Sequence, residues 1–143
     1  MPERTAVIYD VAIVGYGPVG ATFANLLARY GLSVAVVEQA AGIYDKPRAI
    51  TIDHEVLRAW QACGLTEAME QSIAPHPGTH YLGVDGGLIK IFDPMPKPYP
   101  LGWMPAATFV QPELERALRA KLAECAAAVF LSARAVVILA AHL

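Results

Sequence analysis

The sequence predicts an α/β fold built around a parallel sheet, with a small β-hairpin inserted in it. Three observations carry that prediction. A short β-branched run, Val11–Val14, is followed by a helical stretch and then, within LSVAVVEQ, by a second apolar run from Leu32 to Glu38. Glycines cluster between the first run and the helix, and an acid, Glu38, ends the second run. Strand, helix and strand within about 30 residues form a βαβ unit, whose crossover is right-handed in almost every case.

Each element has its own local signal. Val11–Val14 is continuous and apolar, the pattern of a strand buried on both faces. Phe23, Leu26, Leu27 and Tyr30 recur at helical spacing across Ala21–Tyr30, and Gly31 suits the helix C-terminus. Residues 40–47 read as a loop. Asp53 can cap a helix that runs to Cys63, with Val56, Leu57 and Trp60 on its apolar face. A short helical turn, Thr66–Ser72, follows. Seven of the 11 prolines then fall between Ala74 and Pro105. Within that insertion, THYLGVDGGLIKIFD alternates on either side of Asp85-Gly86-Gly87, a hairpin signal. PMPKPYPLGW is an irregular connection, because alternating prolines remove backbone donors. Gln111–Glu124 is a helix with Leu114, Leu118 and Leu122 four residues apart, and Pro112 is tolerated in its first turn. Val129–Leu139 supplies one or two terminal strands. The whole is read as a single domain, residues 1–143, carrying residues 74–105 as a Pro-rich hairpin insertion.

Composition excludes several classes of function. With 55% apolar and 17% charged residues and a net charge of -2, the chain is globular and lacks the basic footprint of a nucleic-acid or acidic-membrane binder. Cys63 and Cys125 have neither metal-ligand nor disulfide spacing, so a reducing, cytoplasmic setting is expected. The apolar stretch Ala126–Ala141 is shorter than the ~20 residues of a membrane-spanning helix and contains Arg134. His76 and His80 flank a Pro-Gly turn without further ligands, so no metal site is expected. Trp60, Trp103 and Cys63 read as packing residues, and His54 as a solvated first-turn residue.

The chemistry concentrates in GYGPVG. Gly15, Gly17 and Gly20 form a G-x-G-x-x-G turn after a strand and at the start of a helix, and Glu38 follows Gly15 by 23 residues. Gly15 permits the turn, Gly17 lets a pyrophosphate approach the backbone, and Gly20 lets the helix pack on the strand. Pro18 and Val19 open the helix, whose unpaired N–H groups favour an anion. Glu38, with Gln39 beside it, can accept the ribose hydroxyls of an adenosine. The expectation is a Rossmann-like dinucleotide site; which dinucleotide stays open on these residues alone.

Two further stretches narrow the choice. DKPRAITIDHEVLRAWQACGL and ATFVQPELERALRAKL, together with the glycine turn, resemble the N-terminal part of FAD-dependent aromatic-ring monooxygenases. The likeness is greatest to the 3-(3-hydroxyphenyl)propionate hydroxylase type, through PRAITID and FVQPELE, and it runs over Tyr9–Leu122. The resemblance implies FAD as cofactor, NADPH or NADH as transient reductant and a small phenolic substrate. It also implies that Arg48 reaches the FAD pyrophosphate and ribityl region and that Gln111 hydrogen-bonds FAD. No residue here is matched to a catalytic role. The family's later Asp-Gly and Gly-Asp motifs have no match; VDGG at Val84–Gly87 lies in the hairpin. The chain therefore reads as truncated relative to the family and not competent alone, with self-association expected through an exposed C-terminal strand. A non-catalytic NAD- or ADP-binding module acting through a partner, or a degenerate fragment, are the alternatives.

Overall fold

A computed structural model describes residues 7–46, 48–126 and 128–132. The first strand, β1 (Val11–Val14), leads through the glycine turn into helix α1 (Pro18–Arg29) and back to β2 (Val34–Glu38). There follow β3 (Thr51–Asp53), α2 (His54–Ala62), α3 (Thr66–Ser72), β4 (Ile73–Pro75), β5 (Thr79–Leu82), β6 (Leu88–Phe92), β7 (Ala106–Phe109), α4 (Gln111–Ala123) and β8 (Ala128–Ser132). The chain divides into two compact units. One holds β1, α1, β2, β8 and α4 from Glu115 onward; the other runs Asp45–Leu114.

The first unit is the expected α/β arrangement. β1, β2 and β8 form a parallel sheet in that order, with Ile13 opposite Val36 and Val36 opposite Phe130. Flanked on both edges, β2 buries Val34, Ala35 and Val36 completely or nearly so. Asp10 and Ser33 tie the strand entrances together: the Asp10 carboxylate accepts from the Ser33 amide and hydroxyl at 2.8 and 2.6 Å. Residues 133–139 of the expected terminal strand region lie outside the described residues.

Two expectations for this unit are corrected. β1 is not buried on both faces; Ala12 and Val14, which alternate onto one face of the strand, are exposed. On α1 the buried residues are Ala21, Ala24 and Asn25, whereas Phe23 and Tyr30 are exposed. Small side chains face the sheet because the glycine turn brings α1 close to it. Asn25 satisfies its burial by donating to the carbonyls of Ala21 (2.8 Å) and Leu118 (2.9 Å), which ties α1 to α4.

The second unit contains a sheet the sequence does not announce. β7 is central, with β3 and β4 antiparallel on either side. These are strands of three or four residues, too short for a periodicity signal. Pro75 is tolerated because β4 is an edge strand and Pro75 its last residue. Leu57, Trp60, Cys63, Leu65 and Met69 of the α2–α3 segment are buried, and Trp60 meets Phe109 edge-on with ring centroids 5.8 Å apart. Val56, expected on the apolar face of α2, is exposed. Asp53 caps α2 as expected, its Oδ1 accepting from the Val56 amide at 3.0 Å. The hairpin β5–β6 forms around Gly83–Gly87, where Gly86 takes φ +79° and Asp85 accepts from the Gly87 amide.

Candidate dinucleotide site

The glycine turn is set by three contacts that follow from its sequence. The Gly15 amide donates to the Val37 carbonyl at 2.8 Å, which locks the end of β1 to β2. Gly15 then turns with φ +103°, a left-handed conformation that favours glycine. A Cβ on Gly20 would lie 2.1 Å from the Gly15 carbonyl oxygen, so only glycine lets α1 start this close to the turn.

A Cβ on Gly17, by contrast, would meet nothing within 4 Å. The backbone there is bare toward open space. Gly17 is the N-cap of α1; no side chain caps the helix, and no acid occupies its first turn. The first amides of a helix have no intrahelical acceptor, so this end presents N–H groups and partial positive charge. A cavity of about 370 Å³ opens here, lined among others by Val14, Gly15, Gly17, Pro18, Val19 and Phe23. The expected turn residues are thus gathered at one place: Pro18 as the first helical residue, Val19 exposed beside it and Gly20 packed beneath.

Glu38 is brought to the same turn. Its Oε2 accepts from the Tyr16 amide at 2.8 Å and its Oε1 from the Ala40 amide at 2.8 Å. The Tyr16 bond, then the Ala40 bond, hold this carboxyl below its ordinary value, so it is ionised at neutral pH. Each carboxylate oxygen retains a further lone pair to accept a hydroxyl. Gln39 is exposed next to it. Bare amides for a diphosphate and an ionised acceptor for a sugar diol therefore occur together, and the pattern fits the adenosine end of a dinucleotide.

Arg48 and Gln111 form a separate group within the second unit. Gln111 is buried, and its side-chain oxygen accepts from the amides of Arg48 (3.0 Å) and Ala49 (2.9 Å). Gln111 therefore fixes the backbone of the Arg48 loop, a role the sequence did not suggest; its NH2 is what it can offer a ligand. Arg48 is exposed. His54 is half-buried, with Nδ1 shielded and without a hydrogen-bond partner among the described residues, so it is not the solvated residue expected. His76 accepts from the Gly78 amide and stacks edge-on against Phe92, a structural role. Among the described residues, no group of three or more His, Cys, Asp or Glu could hold a metal. None of their helices is long and apolar enough to cross a membrane.

Sequence reasoning missed one cluster beside the turn. Tyr16 is buried, and the Arg119 guanidinium stands 4.5 Å over its ring. Arg119 is in turn paired with the buried Glu115 at 2.7 Å. The i,i+4 spacing of Glu115 and Arg119 was visible, but it reads equally as a solvated helix pair.

Fold and turn together define a Rossmann-like dinucleotide-binding protein. Residues 8–141 match the family described as FAD binding domain, and the chain belongs to that family. It is 40% identical over 106 residues to a 3-(3-hydroxy-phenyl)propionate/3-hydroxycinnamic acid hydroxylase of Comamonas testosteroni, covering 74% of this chain and 18% of that protein. The chain thus spans about a fifth of the length of the curated relatives it matches. Among solved structures, PqsL of P. aeruginosa in complex with 2-aminobenzoylacetate is similar with TM-score 0.65 and 28% identity, over 86% of this chain and 33% of that one. The flavin-dependent monooxygenase PieE, solved with FAD and substrate, shares the fold with TM-score 0.68 at 21% identity, over 87% of this chain and 23% of its own.

Proposed function

We propose that this chain provides the adenosine-diphosphate end of the FAD site of a monooxygenase that hydroxylates a small phenolic compound, with NADPH or NADH as reductant. The observation that carries the reading is the Glu38 carboxylate drawn to the glycine turn by the Tyr16 amide. The diphosphate would lie against the backbone of Gly15–Gly20 at the open N-terminus of α1, and the ribose diol would donate to Glu38. Pro18, Val19 and Gln39 would border the nucleotide. Arg48 would contact phosphate oxygens, and the Gln111 amide would donate to FAD from the loop it fixes. FAD, when bound, supplies the reduction by nicotinamide and the activation of O2.

The phenolic substrate class is supported by the names of the relatives, which act on 3-(3-hydroxyphenyl)propionate. The hydroxylation step is assigned to a whole protein of that length rather than to these 143 residues. A cytoplasmic setting is supported by Cys63 and Cys125, neither of which is in a disulfide. Self-association through β8, an edge strand of its sheet among the described residues, is part of the proposal. A monomer at high concentration by light scattering removes that part.

The direct test is titration with FAD, followed by flavin fluorescence, alongside NADH followed by heat. FAD-selective binding is expected. NADH-selective binding would instead support a nucleotide module without flavin chemistry, and no binding of either would leave a fold without a ligand. Arg48→Ala should weaken FAD more than it weakens ADP. Equal weakening, or none, takes Arg48 out of the site.

A further inference from the structure

Tyr16 contributes to the site twice over. Its backbone amide holds Glu38, while its ring is buried under Arg119. Both groups belong to one residue, so packing of the ring restrains the Cα from which the amide projects. Burial pushes the Tyr16 phenol up, which keeps it a neutral ring facing a cation. Arg119 is itself anchored: its Nη2 donates at 2.7 Å to Glu115, which is only 3% exposed. The Arg119 Nε is buried and has no hydrogen-bond acceptor among the described residues. All of these residues belong to the first unit.

We infer that Arg119 is a positioning residue for the nucleotide ribose, acting through Glu115, the Tyr16 ring and the Tyr16 amide to aim the Glu38 carboxylate. The inference rests on the proposed adenosine site at Glu38 and adds to it a determinant that touches no ligand. Each link in the chain is a close contact. Glu115 is buried and charge-paired, the Arg119 guanidinium carbon stands 4.5 Å from the centre of an aromatic face, and Tyr16 lies between two glycines that would otherwise leave its peptide planes loosely determined. Removing the guanidinium frees the ring to turn and the amide to drift from Glu38. The expected loss is therefore in recognition of the sugar hydroxyls, not in affinity for the diphosphate.

That distinction defines the experiment. ADP and 2′-deoxy-ADP differ only in the hydroxyl that Glu38 would accept, and each is titrated into the 143-residue chain and into Arg119→Met. A hydrogen bond to a charged acceptor should give the unmodified chain a preference for ADP of about tenfold or more. In Arg119→Met that preference should fall to roughly twofold or less, and Arg119→Lys, which keeps a cation over the ring, should restore part of it. Circular dichroism melts establish that each variant is folded. Should Arg119→Met fail to fold, Glu115→Gln, which weakens the anchor but keeps its shape, is read in the same way.

Equal weakening of both nucleotides in the variant, with the preference retained, overturns the positioning role and leaves the adenosine site standing. An unmodified chain that binds FAD and ADP without discriminating the deoxy analogue overturns the Glu38 assignment and this inference with it. Failure of the unmodified chain to bind either nucleotide overturns the functional reading itself.

Discussion

β2 and β6 are both five-residue, largely apolar strands, yet they end in opposite environments. β2 buries Val34, Ala35 and Val36, whereas every residue of β6 from Leu88 to Phe92 is exposed, with Ile89 at 73%. The difference is not in the residues. β2 is hydrogen-bonded on both edges, by β1 and β8, and belongs to the unit in which α1 and α4 pack. β6 has β5 alone. Pairing makes a strand, but removing apolar surface from water requires further layers, and a lone two-stranded ribbon cannot provide them. β1 is the intermediate case, with one paired edge and alternate residues exposed.

The comparison can be broken most severely at the turn that lets α1 approach the sheet. Gly20→Val places a side chain where even a Cβ would overlap the Gly15 carbonyl. It should cost more than about 3 kcal/mol in urea unfolding or abolish a cooperative transition. Retention of the parent midpoint would mean that α1 does not depend on this close approach. Val36→Ala removes two methyl groups from a fully buried site in β2. About 2 kcal/mol of destabilisation is expected from transfer and cavity costs, read from the same unfolding curves.

At the end of β2 the effect moves from stability to binding. Glu38→Gln should weaken ADP by about tenfold in calorimetric titration, because a neutral amide accepts hydrogen bonds less strongly than a carboxylate. It should also change the pH profile of stability. The folded-state pKa of Glu38 lies below its ordinary 4.5, so its contribution is fully present above 4.5 and is lost as pH falls through the folded value. The stability difference between parent and Glu38→Gln should therefore be constant above pH 4.5 and narrow in more acid solution. A difference that widens there would contradict the hydrogen bonds described. The smallest effect is expected in β6: Ile89→Ser, at a site that buries little, should change stability by no more than about 0.5 kcal/mol. A loss as large as that of Val36→Ala would show that the hairpin is covered in solution.

Much of the fold was legible because its determinants are local. Gly15, Gly17 and Gly20 lie within six residues, the Asp53 cap reaches only to Val56, and Leu114, Leu118 and Leu122, all buried, repeat along one helix. The errors fall where distant partners decide. Val14 and Phe23 look like core from their neighbours in sequence, yet both are exposed where the cavity opens at the glycine turn. The β3–β7–β4 sheet joins segments between 32 and 57 residues apart through strands too short to carry a period.

The sequence by itself determined the βαβ unit, the glycine turn and the identity of the acid that ends β2, since each is a steric or capping requirement met within a few residues. Only the tertiary structure decided that Glu38 reaches back to the Tyr16 amide, that Gln111 fixes the Arg48 loop and that Arg119 covers the Tyr16 ring. Those contacts span 22, 63 and 103 positions in the chain. The physical reason is that a hydrogen bond or a stacked cation depends on distance in space, which local propensity does not encode.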